Sequence, residues 1–121
     1  MQRRTTIGLC FVFLLSCGEP LTVPAHSDFK IGASREQVLR KHGEPTQTTV
    51  FHKTDDRIWG AIETFWSTVQ TGSSVEVWSY PSQHASMGNG DTELYYVDGS
   101  ALVIGLGFSP VGVVYESSPG A

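Results

Sequence analysis

The sequence contains three sets of side chains that could take part in chemistry. Four histidines could bind a metal, two adjacent aspartates could act as acid and base, and a serine–histidine pair could provide a nucleophile. The histidines lack the i, i+4 spacing of metal ligands on one helix, so no metal site is predicted. Ser82 and His84 have no nucleophile elbow or orienting acid beside them. Asp55-Asp56 fits a helix cap better than a catalytic carboxylate pair. The histidines are His26, His42, His52 and His84. The sequence therefore predicts no catalytic residue and no cofactor.

Cys17 is the residue whose surroundings indicate a definite modification. Arg3 and Arg4 begin the chain with positive charge, and an apolar run over 7–15 follows that is too short to span a bilayer as a helix. The residues Leu14-Leu15-Ser16-Cys17 resemble the lipobox of bacterial lipoproteins. The resemblance implies cleavage before Cys17 and acyl chains that anchor it stably to a membrane. The alternative is an ordinary secretion signal with a chance cysteine.

Lipidation of Cys17 agrees with the cysteine count and with the residues that follow. Cys10 lies in the signal peptide predicted over 1–16, so no disulfide partner would remain after cleavage. In lipoproteins of bacteria with two membranes, an Asp directly after the lipid-bearing cysteine commonly favours retention in the inner membrane. In this sequence that position is Gly18. The resemblance thus implies the outer membrane, facing the periplasm, with another bacterial membrane as the alternative. Residues 17–29 contain two prolines and little periodicity, which predicts a lipidated tether.

Composition and charge bound the remaining function classes. The chain has 121 residues, of which 40% are hydrophobic and 17% charged, as expected for one foldable domain. Its formal charge is −4 and no basic stripe is visible, so a nucleic-acid partner is disfavoured. Basic residues gather around one short helix, where a solvated face is the simpler interpretation and an anion site the alternative. They are Lys30, Arg35, Arg40 and Lys41.

Two helices are predicted. The first runs from Ser34 to His42, because Ser34 and Gln37 form a capping box and Gly43 suits the end. The second is predicted over 56–70, where apolar residues recur at helical spacing, although Gly60 weakens it. Its apolar positions are Ile58, Ala61, Ile62, Phe65, Trp66 and Val69. Packing of this apolar face should decide whether the second helix forms.

The strands are predicted around a hairpin at Asp98-Gly99, a dipeptide that suits a type I′ turn. In that register Val97 pairs with Ser100 and Tyr95 with Leu102. Other strands are predicted over 46–52, 75–80 and, after a turn at 109–112, over 113–116; residues 81–91 are predicted to be a mobile loop. The fold class is therefore α+β, with short helices packed on one face of a three- or four-stranded antiparallel β-meander.

One face of the hairpin is predicted to bind a partner. It carries Leu94, Tyr96 and Val103, and it is small at Gly105 and Gly107, where another backbone could approach. Tyr96 combines contact area with a hydroxyl, as residues that dominate binding energy often do. The alternative is that the tether or the second helix covers this face, which would make Tyr96 an ordinary core residue.

Several stretches resemble the SmpA/OmlA (BamE-like) lipoprotein domain. They are Lys30 to Leu39, His42-Gly43-Glu44-Pro45, Trp78-Ser79-Tyr80, Asp98-Gly99 and Gly112-Val113-Val114. The resemblance covers residues 30–116 and leaves 117–121 as a C-terminal tail. It implies a small α+β domain with helices on an antiparallel sheet, to which the helix predicted over 56–70 is an addition.

The resemblance also implies a function. Family members suggest a lipid-anchored, non-enzymatic binding or scaffolding lipoprotein that is accessory to outer-membrane assembly or integrity. Its partners would be the membrane, through the lipid on Cys17, and an envelope protein. The β-lactamase inhibitor proteins share a related fold, so a periplasmic inhibitor or ligand-binding protein is the alternative. The expectation includes no cofactor and no metal.

Overall fold

Four strands form one antiparallel sheet in the computed structural model, which describes residues 23–112. The strands are β1 (Gln47–His52), β2 (Ser74–His84), β3 (Gly88–Val97) and β4 (Gly105–Pro110). They pair in chain order. The helices are α1 (Arg35–His42) and α2 (Glu63–Trp66), and a 3-10 helix covers His26–Asp28. The α+β class and the antiparallel meander are therefore confirmed.

Helix α1 begins and ends where the sequence predicts. The Gln37 N–H donates to Ser34 Oγ at 3.0 Å, and the Ser34 N–H donates to Gln37 Oε1 at 2.9 Å, which completes the capping box. Gly43 follows with a φ of 80°, and its N–H donates to the Leu39 carbonyl. Val38 is the buried residue of α1, so the helix presents a narrow apolar face to the sheet.

The helix predicted over 56–70 is wrong in extent, because α2 is a single turn. Gly60 has a φ of 124°, which a right-handed helix does not allow. The helical spacing nevertheless predicts burial correctly, since several of its apolar residues pack on the sheet. Those that are buried are Ile62, Trp66 and Val69. Packing thus stabilises this segment without requiring a long helix.

The two helices lie on opposite faces of the sheet, whereas the sequence analysis places them on one face. Helix α1 packs with Trp78, Leu94 and Tyr96, and α2 packs with Val77 and Tyr95. Side chains alternate along a strand, so these two sets belong to different faces. Residues 94–96 of β3 are consequently buried on both faces, and this part of the sheet is the middle layer of three.

The predicted turn at Asp98-Gly99 is present. Its two residues have φ values of 51° and 73°, the positive values that a type I′ turn requires. The Ser100 N–H donates to the Val97 carbonyl at 3.0 Å and closes the turn. The local interpretation of this dipeptide is therefore confirmed.

Beyond that turn the strands pair in a different register. Tyr95 pairs with Gly105 and not with Leu102, because residues 100–104 leave the sheet. This segment pairs instead with the chain before α1, where Leu102 and Ser34 form an isolated bridge. The pairing is shifted by three positions. Because side chains alternate between the two faces and three is an odd number, the side chains of β4 lie on the faces opposite to those predicted.

Gly105 and Gly107 consequently face the segment around α2. A Cβ atom on Gly105 would lie 2.5 Å from the Phe65 ring, and one on Gly107 would lie 3.1 Å from the Ala61 carbonyl oxygen. Real Cβ atoms do not approach other atoms so closely without displacement of a neighbour. The space at these glycines is therefore filled by the chain's own residues and not by a partner.

Residues 81–91, predicted as a mobile loop, belong mostly to strands. Strand β2 continues to His84 and β3 begins at Gly88, with a short turn between them. Pro81 is compatible with β2 because β1 has ended before this point, and no ladder bond is lost on that side. The strand predicted over 113–116 lies outside the described residues.

The chain before α1 packs against the sheet from residue 24 onwards, within the stretch predicted as a tether. Ala25 forms a parallel bridge with Gln83 of β2, and the Gln83 N–H donates to the Pro24 carbonyl at 3.0 Å. Phe29 is buried and stacks on His42 with ring centroids 4.1 Å apart. We call residues 24–29 the docked segment. The packed domain therefore begins before the boundary that the family resemblance implies.

Candidate binding surface

Leu94, Tyr96 and Val103 are buried, so the prediction that they form an exposed partner surface is wrong. Their exposed fractions are 0%, 0% and 1%. They pack with Val38 of α1 and with Phe29 of the docked segment, which together cover this face. The structure thus corresponds to the alternative interpretation, in which Tyr96 is core and the presumed tether contributes to its burial.

Cys17 lies outside residues 23–112, so its lipidation stays a prediction. Each helix within the described residues is too short to span a membrane. The same residues contain no cluster of three or more histidine, cysteine or acidic side chains that could hold a metal ion.

Arg35 joins α1 to the rim of the core. Its guanidinium lies 2.9 Å from Glu76 Oε1, and its Nε donates to the Ser100 carbonyl at 2.8 Å. The Trp78 indole N–H donates to Glu76 Oε2, also at 2.8 Å. The guanidinium carbon lies 4.1 Å from the centroid of the Tyr96 ring. Arg35 is thus fully occupied by contacts within the domain and is a poor candidate for an anion site.

The electrostatics of this cluster indicate a structural role. Burial acts to raise the pKa of Glu76, but the hydrogen bond from Trp78 and the charge of Arg35 outweigh it, and the pKa is lowered. Burial raises the pKa of Tyr96, although Arg35 opposes that effect. At neutral pH Glu76 is ionised and Tyr96 is not, so neither is poised for proton transfer near pH 7.

The aspartates and the Ser82–His84 pair also differ from a catalytic arrangement. Asp55 accepts a hydrogen bond from the Thr71 hydroxyl, and α2 has no side-chain cap, so the predicted capping role is wrong. Ser82 pairs with Thr92 and not with His84. His84 Nδ1 accepts the N–H groups of two residues in the turn between β2 and β3. His84 is therefore committed to that turn.

The outer edge of β1 is the exposed feature best suited to binding. Within the described residues β1 pairs on one side only, because it ends the sheet. The Lys53 N–H donates to the Ser73 carbonyl at 2.8 Å. The backbone N–H and C=O groups of Lys53, and of every second residue before it, therefore point toward β2. The backbone N–H and C=O groups of Thr48, Val50 and His52 therefore point away from the sheet.

This edge lacks the features that usually protect a terminal strand. Residues 47–52 contain no lysine, no proline and no charged side chain. Val50 is 55% exposed on one face. On the other face Phe51 is partly buried, with its ring centroid 6.1 Å from that of Trp66. An added strand could bond to the backbone of β1 and place alternate side chains beside Val50 and Phe51.

Sequence reasoning missed this edge. The run over 46–52 was predicted as a strand, but its position at the end of the sheet depends on which strands pair. The available signal was the absence of lysine and proline from a β-rich run. That signal indicates an unprotected strand only once its pairing is known.

Comparison of the chain with protein-family models, with curated proteins and with solved structures finds no match. The resemblance to the SmpA/OmlA domain therefore rests on the residue pattern alone and stays a prediction.

Proposed function

We propose that this protein is a lipid-anchored, non-enzymatic binding module of the bacterial cell envelope, accessory to outer-membrane assembly or integrity. It binds an extended segment of an envelope protein by strand addition to β1. The unprotected outer edge of β1 is the observation that carries this proposal. The Leu14-Leu15-Ser16-Cys17 pattern supports the lipid anchor and the envelope location.

Strand addition is favoured by the chemistry of β1. The outward groups of Thr48, Val50 and His52 can exchange backbone hydrogen bonds with a partner, and each bond contributes roughly 0.5–1.5 kcal/mol net. Because β1 contains no Asp, Glu, Lys or Arg, the edge favours a neutral segment with alternating apolar residues. Val50 and Phe51 supply apolar contacts on the two faces of that segment.

A periplasmic inhibitor or ligand-binding protein is the second candidate. A groove of about 210 Å³ lies between the docked segment and α1, with Phe29, Val38 and Leu94 among its lining residues. Small-molecule sites usually enclose about 300–1,000 Å³. This groove is below that range, but hollows of about 400 Å³ beside α2 and about 460 Å³ beside the docked segment lie within it, so ligand binding is kept as the second candidate.

Site-specific photo-crosslinking in intact cells tests the proposed function. A crosslinking amino acid at Thr48 should give a discrete adduct with an envelope protein. The same group at Val111, 75% exposed beyond the opposite edge strand, should not. Identification of the adduct separates the two candidates, since a soluble periplasmic enzyme would indicate an inhibitor.

Two substitutions at one position test whether the backbone of β1 forms the adduct. Val50→Pro removes an N–H that points away from β2, so the domain should keep its melting temperature while the adduct is lost. Val50→Thr keeps both the N–H and the branched shape, and it should keep the adduct. An undiminished adduct in a folded Val50→Pro protein would contradict strand addition.

A further inference from the structure

The docked segment is held by two histidine contacts, one near each of its ends. His26 Nδ1 lies 2.8 Å from Thr92 Oγ, and this hydroxyl lies 2.6 Å from Ser82 Oγ. At the other end, His42 stacks on Phe29. Thr92 and Ser82 are buried, so the hydrogen bonds of their hydroxyl groups are costly to leave unmade.

The two hydroxyl groups indicate which nitrogen of neutral His26 carries the proton. If Ser82 donates to Thr92 and Thr92 donates to His26 Nδ1, both buried hydroxyl protons have acceptors. The reverse direction would leave the Ser82 proton without an acceptor among the described residues. The favoured arrangement therefore has neutral His26 accepting at Nδ1 and carrying its proton on Nε2.

Protonation of His26 conflicts with this arrangement. Protonated imidazole donates at both nitrogens, so Nδ1 could no longer accept from Thr92, and one of the two buried hydroxyl protons would lose its acceptor. The ring of His84 lies 5.3 Å from that of His26, and both rings contact uncharged Phe108. Burial lowers the pKa of His26, and the charge of His84 lowers it further.

The charged groups around the docked segment do not reverse this effect. Asp28 is the acidic residue of the docked segment. Its carboxylate accepts the Ala25 N–H at 3.1 Å. Burial lowers the pKa of His42, as does the charge of Lys41, while Asp28 acts in the opposite direction. Both histidine contacts thus favour neutral imidazole.

The direction of the pH dependence follows from linkage. A histidine with a lowered pKa in the docked state binds its proton more readily when the segment is released. The stabilisation of docking is complete above the ordinary histidine pKa of 6.5 and is lost as the pH falls through the lowered value. We propose that the docked segment is a pH-sensitive latch, closed on β2 while His26 is neutral and released when His26 is protonated.

Release would uncover an interaction edge. The docked segment bonds to the outer side of β2 at Gln83, on the same side as β1. Without it, the Gln83 N–H would be available to another chain beside the end of β1. The latch would therefore act as an autoinhibitory contact for the last residues of β2.

NMR of the isotope-labelled full chain in detergent micelles tests the latch. The backbone amide of Gln83 and the ring nitrogens of His26 and His42 are followed from about pH 8 to about pH 5. The hydrogen-exchange protection of the Gln83 amide should fall severalfold as the pH is lowered. The midpoint pH of this fall should equal the midpoint pH for protonation of the His26 ring. A Gln83 amide that stays protected throughout, or one that follows only the His42 midpoint, would overturn the proposal.

Two variants provide matched controls. His26→Gln keeps an oxygen acceptor for Thr92 and removes the titration, so Gln83 should no longer respond to pH. His84→Gln keeps an oxygen acceptor for the N–H groups of the turn and removes the imidazole that lowers the pKa of His26, so the midpoint of Gln83 should rise with that of His26. The proposal fails if Gln83 of His26→Gln has the wild-type midpoint, or if the His26 and Gln83 midpoints separate in His84→Gln.

Discussion

The guanidinium of Arg35 lies over the ring of Tyr96, 4.1 Å from its centroid, and so connects the first helix to the centre of the sheet. The hydroxyl of that same tyrosine is buried and has no hydrogen-bond partner among the described residues. The ring of Tyr96 therefore stabilises the fold through packing and the cation–π contact. Its hydroxyl contributes an unpaired polar group that works against that stability.

Tyr96→Phe should leave the free energy of unfolding unchanged or raise it by up to about 1 kcal/mol, because an unpaired buried hydroxyl is removed. Tyr96→Ala should lower it by about 3–5 kcal/mol, because the ring is lost from the core. Urea denaturation measures both values. A clear loss of stability in Tyr96→Phe would mean that the hydroxyl is bonded in solution.

Gly107→Ala should destabilise the domain by about 1–3 kcal/mol, because the new methyl group would meet the Tyr95 hydroxyl and the Ala61 carbonyl. Tyr95→Phe removes the nearer of these obstacles. In a double-mutant cycle, the cost of Gly107→Ala should therefore be smaller when Phe replaces Tyr95. Strict additivity of the two unfolding free energies would argue against this contact.

Gly99→Val should lower the free energy of unfolding by about 1–3 kcal/mol, since a β-branched residue resists the φ of 73° found at this position. Gly99→Asn is the matched control, because asparagine tolerates positive φ and should cost less. Chemical denaturation compares the three proteins. Equal midpoints for wild type and Gly99→Val would count against the turn.

Cys17→Ser should abolish metabolic labelling of the protein with fatty acid, because the sulfur that carries the predicted lipid is removed. Cys10→Ser should be labelled normally, since residue 10 lies in the segment predicted to be cleaved. Labelling is read from the immunoprecipitated protein. Undiminished labelling of Cys17→Ser would contradict the lipid anchor and leave the β1 edge to be tested separately.

Features set by neighbouring residues could be predicted from the sequence. The capping box of α1 needs only Ser34 and Gln37, and the Asp98-Gly99 turn needs only its own two positive φ values. The burial of Trp66 also followed from local spacing, although the helix did not, because apolar spacing reports which side is buried more reliably than it reports backbone conformation.

Features set by distant pairing could not be predicted. Residues 100–104 leave the sheet to pair with the segment before α1, and this changes the register of β4. No local pattern near Leu102 indicates that partner. The prediction of a partner surface at Tyr96 was wrong for the same reason, since the burial of Tyr96 depends on where α1 and the docked segment lie. The open edge of β1 likewise follows from the order of the strands.

If Cys17 carries the predicted lipid, the docked segment also limits how far the domain can lie from the membrane. A fully extended chain from residue 17 to residue 23 spans at most about 20 Å, so an anchor on Cys17 would hold the sheet close to the lipid headgroups. Undocking of residues 24–29 would roughly double that limit to about 40 Å. Acidification would then change which partners β1 can contact through distance alone, without any change in the affinity of the edge itself.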